Sequence, residues 1–556
     1  MNAPVRTIAD FSEGPVRSVA ERLHALADVH DRGIRSEEGE IPWAGAVAEA
    51  AVRVAALREL LDGAPHPHVG VLLPGTPEYL HLLDAAACSE FVVVGLNSTR
   101  RGAALGRDVA LADCAVVLTD AEHEPLLDGA LPPSRDEGPG AVRVLRVDSP
   151  GYAELLNRHR GAALPPLDSV PVGPDDLLGL VFTSGTSGDP KAVRITQAKV
   201  AVPGLMLADR FGLGRDDCVY CAMPLFHSNA VMVAWPIALF TGCSLALRRR
   251  FSASHWLADV RRYGATFANY VGTPLAYVLA TAERDDDADN PMRVVYGNEA
   301  PPEVRREFSR RFGVRVVDGF GSSEGGVSVT RTPDTPEDAL GVLPPGVRVV
   351  DLETGEDCPA AEFDGSGRLV NADVAVGELV ADGPGLFAGY YADPGADAER
   401  MRGGRFHSGD LAYVDARGYV YFAGRSSGWL RVDGENLGAA PIERAVLRHP
   451  GVAECAVYAL PAAAVGGSVG DCVAAAVVPR GGVCRAELAD ELGEFLAGQR
   501  DLGPKQVPRV LRLTGSLPRT ASFKVRPREL AALGTEAGPS GDVVRVRRGS
   551  GPWAPG

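Results

Sequence analysis

The chain has 556 residues, of which 46% are hydrophobic and 23% charged, and its formal net charge is −16 at pH 7. This length exceeds what one hydrophobic core usually organises, so we expect at least two domains. The acidic balance argues against nucleic acid as a principal partner, because neutralising a phosphate backbone requires clustered lysine and arginine.

The first 330 residues alternate short apolar runs with helical patterns. This alternation predicts α/β layers with largely parallel sheets, whose ligands bind beyond the carboxyl ends of the strands. The predicted strands are Val69–Leu73, Val92–Gly95, Ala115–Leu118, Val142–Leu145 and Leu177–Phe182, and the predicted helices are Glu78–Ala87, Trp256–Tyr263 and Glu303–Arg310.

From about residue 340 to residue 424 the pattern changes to short strands with Gly/Pro turns, which predicts a smaller β-rich subdomain. The small polar stretch Gly424–Gly428 indicates a domain boundary. We therefore expect an N-terminal domain over residues 1–424, made of layered α/β subdomains plus the β-rich one. A small mobile α+β C-terminal domain over residues 425–534 and a flexible tail over residues 535–556 would follow.

The composition also indicates the cellular setting. No apolar run approaches the roughly 20 residues that a membrane-spanning helix requires, and no signal peptide is evident. The nine cysteines lack the spacing of a disulfide framework, and the pair Cys218 and Cys221 has no second Cys/His pair near it to complete a zinc site. We expect a cytoplasmic protein with structural thiols.

The stretch Thr183-Ser-Gly-Thr-Ser-Gly-Asp-Pro-Lys191 predicts a phosphate-binding loop, because it follows a buried strand. Its glycines allow the backbone to approach a ligand closely, its hydroxyls and amides can donate to phosphate oxygens, and Lys191 adds a positive charge. It is not a Walker loop, because Asp-Pro separates Gly188 from Lys191. The predicted phosphate ligands are Thr183, Ser184, Gly185, Thr186, Ser187, Gly188 and Lys191.

Further motifs follow this loop in order along the chain. They are Pro224–His227, Gly319–Glu324, Gly377–Val380, Phe406–Asp410, Arg425, Gly434–Leu437 and Pro518–Lys524. The ordered set resembles the adenylate-forming superfamily, which includes acyl-CoA synthetases, nonribosomal adenylation domains and luciferases. The resemblance runs from about residue 45 to residue 530, and it implies that the chain activates an acid by forming an adenylate from ATP.

The resemblance assigns a role to each matching residue. Lys524 would contact the α-phosphate and the attacking carboxylate, and Glu324 would bind Mg²⁺ together with Thr183. His227 would lie beside the acyl channel, where it would gate the channel or contact the substrate. Asp410 would bind the ribose hydroxyls and Arg425 the ribose-phosphate region. The remaining nucleotide-site residues would be Gly297, Asn298, Glu299, Asp318, Gly319, Phe320, Gly321, Ser322 and Ser323.

A second half-reaction, thioester formation with coenzyme A, is implied by the same resemblance. The C-terminal domain would turn, so that Gly434 and Glu435 replace Lys524 at the thiol tunnel. The chain departs from the family in Ser427–Gly428, where a charged hinge residue is usual, and in Ser323, where threonine is commoner. Glu299 would disfavour a purely hydrocarbon substrate if it lined the pocket.

Three functions remain open at this point. The motifs resemble most closely the fatty-acid transport protein-like and very-long-chain acyl-CoA synthetases in their actinobacterial form, which implies an ATP-dependent acid–CoA ligase using ATP, Mg²⁺ and coenzyme A. The alternative is an ATP-dependent diazotase of secondary metabolism that activates nitrite for reaction with an aromatic amine. A non-catalytic protein that binds nucleotide or lipid is disfavoured by the intact Lys191, Glu324, Asp410, Arg425 and Lys524.

Overall fold

The fold is taken from a computed structural model. It describes residues 18–131, 142–183, 190–272, 274–365, 369–425, 430–432, 435–437, 439–465, 471–481, 483–499, 502, 506–519, 525–538, 541–547 and 553–555. No helix within these ranges is long and apolar enough to cross a membrane.

The helices alternate with strands along the first 330 residues, as the sequence predicts. In chain order the helices are α1 Val19–Leu26, α2 Trp43–Leu60, α3 Pro77–Ala87, α4 Ala103–Leu111, α5 Pro150–Arg158, α6 Gln197–Phe211, α7 Trp235–Thr241, α8 Trp256–Tyr263, α9 Pro274–Leu279, α10 Pro302–Phe312, α11 Ala372–Ala375, α12 Pro394–Arg400, α13 Ala439–Leu447, α14 Arg485–Ala497 and α15 Pro527–Ala532. A π-helical turn over Ala230–Ala234 precedes α7.

The strands are also numbered in chain order. They are β1 Gly33–Ser36, β2 Gly39–Pro42, β3 His68–Leu72, β4 Val92–Gly95, β5 Cys114–Thr119, β6 Arg143–Arg146, β7 Leu177–Thr183, β8 Lys191–Thr196, β9 Cys218–Cys221, β10 Ser244–Leu247, β11 Phe267–Val271, β12 Val294–Asn298, β13 Arg315–Gly321, β14 Ser328–Thr330, β15 Gly341–Val342, β16 Val347–Val350, β17 Gly377–Asp382, β18 Met401–Arg402, β19 Arg405–Val414, β20 Tyr419–Arg425, β21 Leu430–Val432, β22 Glu435–Leu437, β23 Val452–Pro461, β24 Asp471–Pro479, β25 Val510–Leu513, β26 Val543–Arg547 and β27 Trp553–Pro555.

The chain divides into two compact units, residues 1–328 with 383–406, and residues 329–382 with 407–556. The first unit contains a six-stranded sheet in the order β6-β5-β3-β4-β7-β8, parallel except for the β7–β8 hairpin. It also contains strands in the order β13-β12-β11-β9-β10-β1-β2, parallel except for β1–β2. The expected α/β layering with largely parallel sheets is confirmed.

The core of the first unit explains why α8 and α10 form where the sequence predicts. Trp256 of α8 packs edge-on against Phe308 and Phe312 of α10, with ring centroids 5.1 Å apart in both pairs. All three side chains are buried, and their spacing places them on the sheet-facing stripe of each helix. This packing fixes the helices that follow β10 and β12, and it leaves the carboxyl ends of the strands free for site loops.

The second unit is built mainly from antiparallel strands. One sheet has the order β16-β17-β19-β20-β15-β14, and a second has the order β23-β24-β25-β26-β27 with α13 and α14 packed in its apolar core. The mixture of antiparallel sheets with a few helices agrees with the β-rich and α+β character that the sequence predicts. The predicted boundary at residues 424 and 425 falls at the end of β20 and stays a prediction.

The flexible tail expected over residues 535–556 stays a prediction, and part of this segment forms a strand. Strand β26 pairs with β25, so residues 543–547 extend the sheet. The guanidinium of Arg512 is buried in β25 and donates to the Asp542 carboxylate at 2.9 Å and to the carbonyl oxygens of Gly534 and Glu536 at 2.9 Å and 2.8 Å. The composition of this segment did not reveal that a buried arginine binds it to the second unit.

Candidate active site

The predicted phosphate loop connects the two strands of the β7–β8 hairpin. Thr183 and Lys191 lie opposite each other in this antiparallel pair, and the Thr183 hydroxyl donates to the Lys191 carbonyl at 3.5 Å. The residues between them that we expect to bind phosphate, Ser184, Gly185, Thr186, Ser187 and Gly188, lie outside the described residues. The two ends of the loop are therefore fixed by strand pairing.

The Lys191 ammonium lies beside the segment over residues 383–406. Its Nζ is 3.5 Å from a Glu399 carboxylate oxygen and 5.2 Å from the centroid of the Tyr390 ring. The backbone continues this contact, because Val193 of β8 forms an antiparallel bridge with Tyr390. A positive charge at the base of the loop is thus held next to an aromatic ring that also contacts Glu324.

Glu324 lies in a turn that follows β13, and its carboxylate is held from one side. The Tyr390 hydroxyl donates to Glu324 Oε1 at 2.9 Å, and Arg400 Nε donates to the same hydroxyl at 3.2 Å. Burial opposes ionisation of Glu324, but the charge of Arg400 and hydrogen bonds from Tyr390 and Ser322 outweigh it, so the pKa of Glu324 lies below its ordinary value. The site therefore presents an ionised carboxylate at neutral pH.

Lys199 binds the backbone of the same turn. This lysine lies in the first turn of α6, its side chain is fully buried, and its Nζ donates to the Glu324 carbonyl oxygen at 2.8 Å. Burial lowers the pKa of Lys199 to about 7, and the charge of Glu324 opposes that shift. Glu324 is consequently bound by Lys199 and Tyr390 and acted on by the charge of Arg400, all of which are distant from it in the chain.

The predicted adenine-site residues lie at the ends of β12 and β13. Tyr270 donates to one carboxylate oxygen of Asp318, and Arg305 Nη1 lies 3.2 Å from the other. The Asn298 side chain donates to the Gly319 carbonyl at 2.6 Å, which links the two strand ends. The structure brings Asp318, Asn298 and Gly319 together, and it uses the Asp318 carboxylate as the centre of a local hydrogen-bond network.

Two glycines in this region have a packing explanation. A Cβ on Gly297 would lie 2.1 Å from the Tyr270 carbonyl oxygen, and one on Gly319 would lie 2.3 Å from the Tyr296 hydroxyl oxygen. The overlap at Gly297 is with backbone, so glycine is required there, whereas a Cβ at Gly319 would require the Tyr296 ring to shift. Glu299 follows on the exposed surface with a φ of 69°, and it is absent from the lining of the described cavity.

The predicted acyl-channel histidine, His227, lies in a turn next to the Glu324 loop. Its Nδ1 accepts from the Asn229 backbone N–H at 3.3 Å. The adjacent Ser228 hydroxyl is 2.7 Å from the Ser323 hydroxyl, so the serine that replaces the commoner threonine forms a hydrogen bond. In the rest of the Gly319–Glu324 motif, Phe320 and Gly321 form the end of β13. Ser322 follows the strand and hydrogen-bonds to Glu324.

The other predicted site residues belong to the second unit. Asp410 is buried in β19, opposite Arg425 of β20 in the antiparallel pair. The part of β19 before Asp410 is held by Glu378 of β17, whose carboxylate accepts from the Gly409 N–H at 2.9 Å and lies 2.7 Å from His407 Nδ1. Glu435 begins β22, whereas Gly434 and Lys524 lie outside the described residues.

Sequence reasoning missed the residues that orient the predicted ones. Lys199, Tyr390, Arg400 and Glu378 supply the contacts around Glu324 and Asp410. Lys199 had a usable signal, because a lysine inside the otherwise apolar face of a helix is rarely buried without a partner. The partnership of Tyr390 with Glu324 had none, since it joins residues that are 66 positions apart.

The oxygen donors at Glu324 fit a hard cation that is held mainly by the phosphate oxygens of a bound nucleotide. Within the described ranges, no group of three or more His, Cys, Asp or Glu side chains could hold a metal ion. Mg²⁺ is bound in nucleotide sites by one or two carboxylates together with substrate phosphates, so a single ionised carboxylate is sufficient. The residues present fit a Mg²⁺ ion that arrives with ATP.

Comparison with known proteins assigns the family. The AMP-binding enzyme family model matches residues 45–391, and the AMP-binding enzyme C-terminal domain model matches residues 441–524. The chain therefore belongs to the AMP-binding enzymes of the adenylate-forming superfamily, as an acid–CoA ligase.

Individual relatives narrow this class. The chain is 51% identical, over 94% of its length and 97% of the relative, to the medium/long-chain-fatty-acid–CoA ligase FadD17 of Mycobacterium marinum. It is 43% identical, over 90% of its length and 88% of the relative, to the steroid-22-oyl-CoA synthetase of Rhodococcus jostii. The solved structure of ATP-bound MatB from Rhodopseudomonas palustris superimposes with a TM-score of 0.77 at 26% identity, covering 93% of this chain and 98% of that one.

These relatives decide between the three functions that the sequence left open. The expected resemblance to actinobacterial fatty-acyl-CoA synthetases is confirmed, and so is the acid–CoA ligase class. The diazotase alternative finds no support among these relatives, and membership of an enzyme family argues against a non-catalytic nucleotide- or lipid-binding protein.

Proposed function

We propose that this ligase activates a medium- or long-chain apolar carboxylic acid and transfers the acyl group to coenzyme A. The observation that carries the proposal is the 51% identity to a medium/long-chain-fatty-acid–CoA ligase over nearly the full length of both chains. The steroid-22-oyl-CoA synthetase supports the same class, because its substrate joins a carboxylate to a large apolar body. Both acids require a site that binds a carboxylate at one end and buries hydrocarbon at the other.

An apolar cavity in the first unit supports this substrate class. It is lined mainly by aromatic and aliphatic side chains, among them Trp256, Leu275, Val278 and Val295. Met223, also in the lining, precedes the Pro224–His227 turn in the chain. We propose that this cavity receives the distal part of the acyl chain, which would gain about 0.8 kcal/mol for each CH₂ group buried.

The first half-reaction assigns roles to the site residues. One carboxylate oxygen of the acid attacks the α-phosphorus of ATP, the bond to the bridging oxygen breaks, and pyrophosphate leaves with the electron pair. Lys191 and the loop beginning at Thr183 would bind the phosphates, and Lys524 would neutralise charge on the α-phosphate and the attacking oxygen. Asp410 and Arg425 would hold the ribose.

Magnesium is part of the same proposal. Bound to Glu324 and to the phosphate oxygens of ATP, Mg²⁺ would supply positive charge against the departing pyrophosphate. Tyr390 and Arg400 keep the Glu324 carboxylate ionised and oriented for this role. In the second half-reaction the coenzyme A thiolate attacks the acyl carbon, a thioester forms, and AMP leaves.

The proposal is tested by product analysis. Purified protein is incubated with ATP and Mg²⁺ and with acids of 4 to 20 carbons, a steroid side-chain acid and benzoate, with and without coenzyme A. Mass spectrometry should detect AMP and an acyl-CoA with the apolar acids of medium or long chain. Preference for benzoate or a short dicarboxylic acid would overturn the substrate class, and AMP without any acyl-CoA would overturn the acceptor.

A matched pair of variants tests the cavity. Val278→Trp fills the cavity, so it should shorten the longest acid that the enzyme accepts while leaving the turnover of short acids unchanged. The control is Val144→Trp, which adds the same bulk at an exposed position. An unaltered chain-length profile in a folded Val278→Trp variant would exclude the cavity as the acyl site.

A further inference from the structure

Lys199 occupies a position where a lysine is costly. It lies in the first turn of α6, and its backbone N–H is bonded by the N-cap residue Thr196. Its side chain is fully buried. Burying an ammonium removes it from water, and the amino-terminal turn of a helix carries positive partial charge that repels it.

The contacts of Lys199 converge on one turn of the backbone. Its Nζ donates to the Glu324 carbonyl oxygen at 2.8 Å. Its aliphatic stem packs against the next residue, because a Cβ on Gly325 would lie 3.4 Å from Lys199 Cε. Gly325 has a φ of 76°, so the chain reverses at the point where the lysine supports it.

The two ends of Glu324 are held independently. Lys199 fixes the backbone of the turn, and the Tyr390 hydroxyl fixes carboxylate oxygen Oε1 at 2.9 Å. These supports come from α6 and from the segment over residues 383–406, which are separate in the chain. Without the lysine, Tyr390 would still bind the carboxylate, but the backbone that carries it could shift.

We propose that Lys199 is a positioning residue that sets the location of the Glu324 carboxylate for the Mg²⁺–ATP complex. The inference rests on the proposed role of Glu324 in binding Mg²⁺. Replacing a buried charge by an apolar group of similar volume is often neutral or stabilising, so a buried lysine is poorly explained by stability alone. A displacement of about 1 Å in a reacting group can cost about 100-fold in rate, which gives the lysine a catalytic rationale.

The chain offers a matched control on the same helix. Gln197 is also buried, and it accepts from the Val19 N–H at 2.8 Å and donates to the Ala87 carbonyl at 2.7 Å. None of these partners belongs to the Glu324 turn. Gln197→Met therefore removes buried hydrogen bonds of the same kind and reports what a purely structural loss does.

The experiment compares Lys199→Met, Lys199→Gln, Gln197→Met and Glu324→Gln with the unaltered protein. The first readout is adenylate formation as a function of Mg²⁺ concentration. The second is thioester formation from a supplied acyl-adenylate, and the third is hydrogen–deuterium exchange of the peptide containing residues 322–326 in the nucleotide-free protein. Lys199→Gln keeps a neutral donor and buries no charge, so it remains informative if Lys199→Met does not fold.

The inference predicts a distinct signature. Both Lys199 variants should need about tenfold more Mg²⁺ for half-maximal adenylation and should lose about 10-fold to 100-fold in rate, with Lys199→Met the more severe. Thioester formation from the supplied adenylate should stay within twofold, and peptide 322–326 should exchange faster. Gln197→Met should show none of these changes at equal loss of melting temperature.

The outcomes separate the inference from the proposed function. If the Lys199 variants resemble Gln197→Met while Glu324→Gln loses adenylation, the inference is wrong and the proposed function stands. If Glu324→Gln adenylates normally, the metal role of Glu324 fails and the positioning role of Lys199 fails with it. Unchanged exchange of peptide 322–326 in both Lys199 variants would also overturn the inference.

Discussion

Glu324 in the first unit and Asp410 in the second are both assigned to the nucleotide site by their motifs, but the structure holds them differently. The Glu324 turn depends on Lys199 and Tyr390, which lie 125 and 66 positions away in the chain. The part of β19 before Asp410 depends on Glu378 of the neighbouring strand β17, which lies 29 positions from His407 and 31 from Gly409. One carboxylate is positioned by tertiary packing, and the other by the register of neighbouring strands.

This difference predicts that the Mg²⁺ requirement and the affinity for the nucleoside can be impaired separately. Disturbing the supports of Glu324 should change the demand for Mg²⁺, because the carboxylate itself would move. Disturbing Glu378 should change the affinity for the nucleoside part of ATP and leave the demand for Mg²⁺ unaltered, since its carboxylate binds His407 and Gly409, which precede Asp410 in β19.

The largest effect is expected for Glu324→Gln. The amide keeps the shape of the side chain but removes the negative charge, so adenylation should fall about 100-fold to 1,000-fold. Acid-dependent AMP release measures the loss, and the exposed Glu303→Gln is the control for the same chemical change. A fall of less than threefold would refute the assignment of Glu324 as the metal ligand.

Glu378→Gln should have the next largest effect. The amide can accept from only one side, so either the Gly409 N–H or His407 loses its partner and the part of β19 before Asp410 loosens. Supporting residues of this kind typically cost 10-fold to 100-fold, and the loss should appear in KM for ATP. Calorimetric titration with ATP, with the exposed Glu353→Gln as control, checks it; a changed Mg²⁺ requirement would contradict the comparison.

Tyr390→Phe should have a smaller effect, and it should act on Glu324 rather than on Asp410. It removes one hydrogen bond to Glu324 Oε1 while Lys199 still holds the backbone, so adenylation should fall about twofold to tenfold with a raised Mg²⁺ requirement. The control is Tyr391→Phe, which removes a hydroxyl bonded to Asp113 at 2.9 Å. Equal losses in the two variants would mean that Tyr390 has no special connection with Glu324.

Asp84→Asn should leave activity unchanged and alter only the pH dependence of stability. Burial raises the pKa of Asp84 to about 8, and its Oδ1 accepts from Trp235 Nε1 at 3.1 Å. Because the folded pKa exceeds the unfolded one, the carboxyl stabilises the fold most below about pH 4, and stability then declines up to about pH 8 by at most about 1.4 kcal/mol per unit. Asparagine does not ionise.

The check is the difference in melting temperature between Asp84→Asn and the unaltered protein at pH 5, 6.5, 8 and 9. The variant should gain on the unaltered protein up to about pH 8 and then stay parallel to it. The neighbouring His81, whose pKa burial lowers to about 4, is present in both proteins and cancels from the difference. A constant difference across this range would show that Asp84 is ionised in the fold.

The sequence predicted much of the scaffold because its information is local. The helix expected at Trp256–Tyr263 forms over those residues, and the run expected at Leu177–Phe182 forms a strand that ends at Thr183. Periodicity and motif order require only neighbouring residues, so they placed the predicted phosphate loop directly after a strand. The same reasoning did not predict the strand over residues 543–547, because nothing near them in the sequence reveals their pairing with β25.

The candidate site was predicted less completely for the same physical reason. The motifs named Glu324 and Asp318, but not that Tyr390 and Lys199 hold the first or that Tyr270 and Arg305 bind the second. Gly297 looked like a nucleotide contact, yet the Tyr270 backbone already excludes a side chain there. Roles that depend on the charge and packing of distant groups become visible only when the fold brings them together.

The most direct test of the proposed acid–CoA ligase activity is ATP–pyrophosphate exchange, which reports reversible formation of an acyl-adenylate. Labelled pyrophosphate should enter ATP only when a medium- or long-chain acid is present, without any need for coenzyme A, and Glu324→Gln should abolish the exchange. Exchange that occurs without an acid, or no exchange with any apolar acid, would contradict the proposed adenylation of an apolar acid by this enzyme.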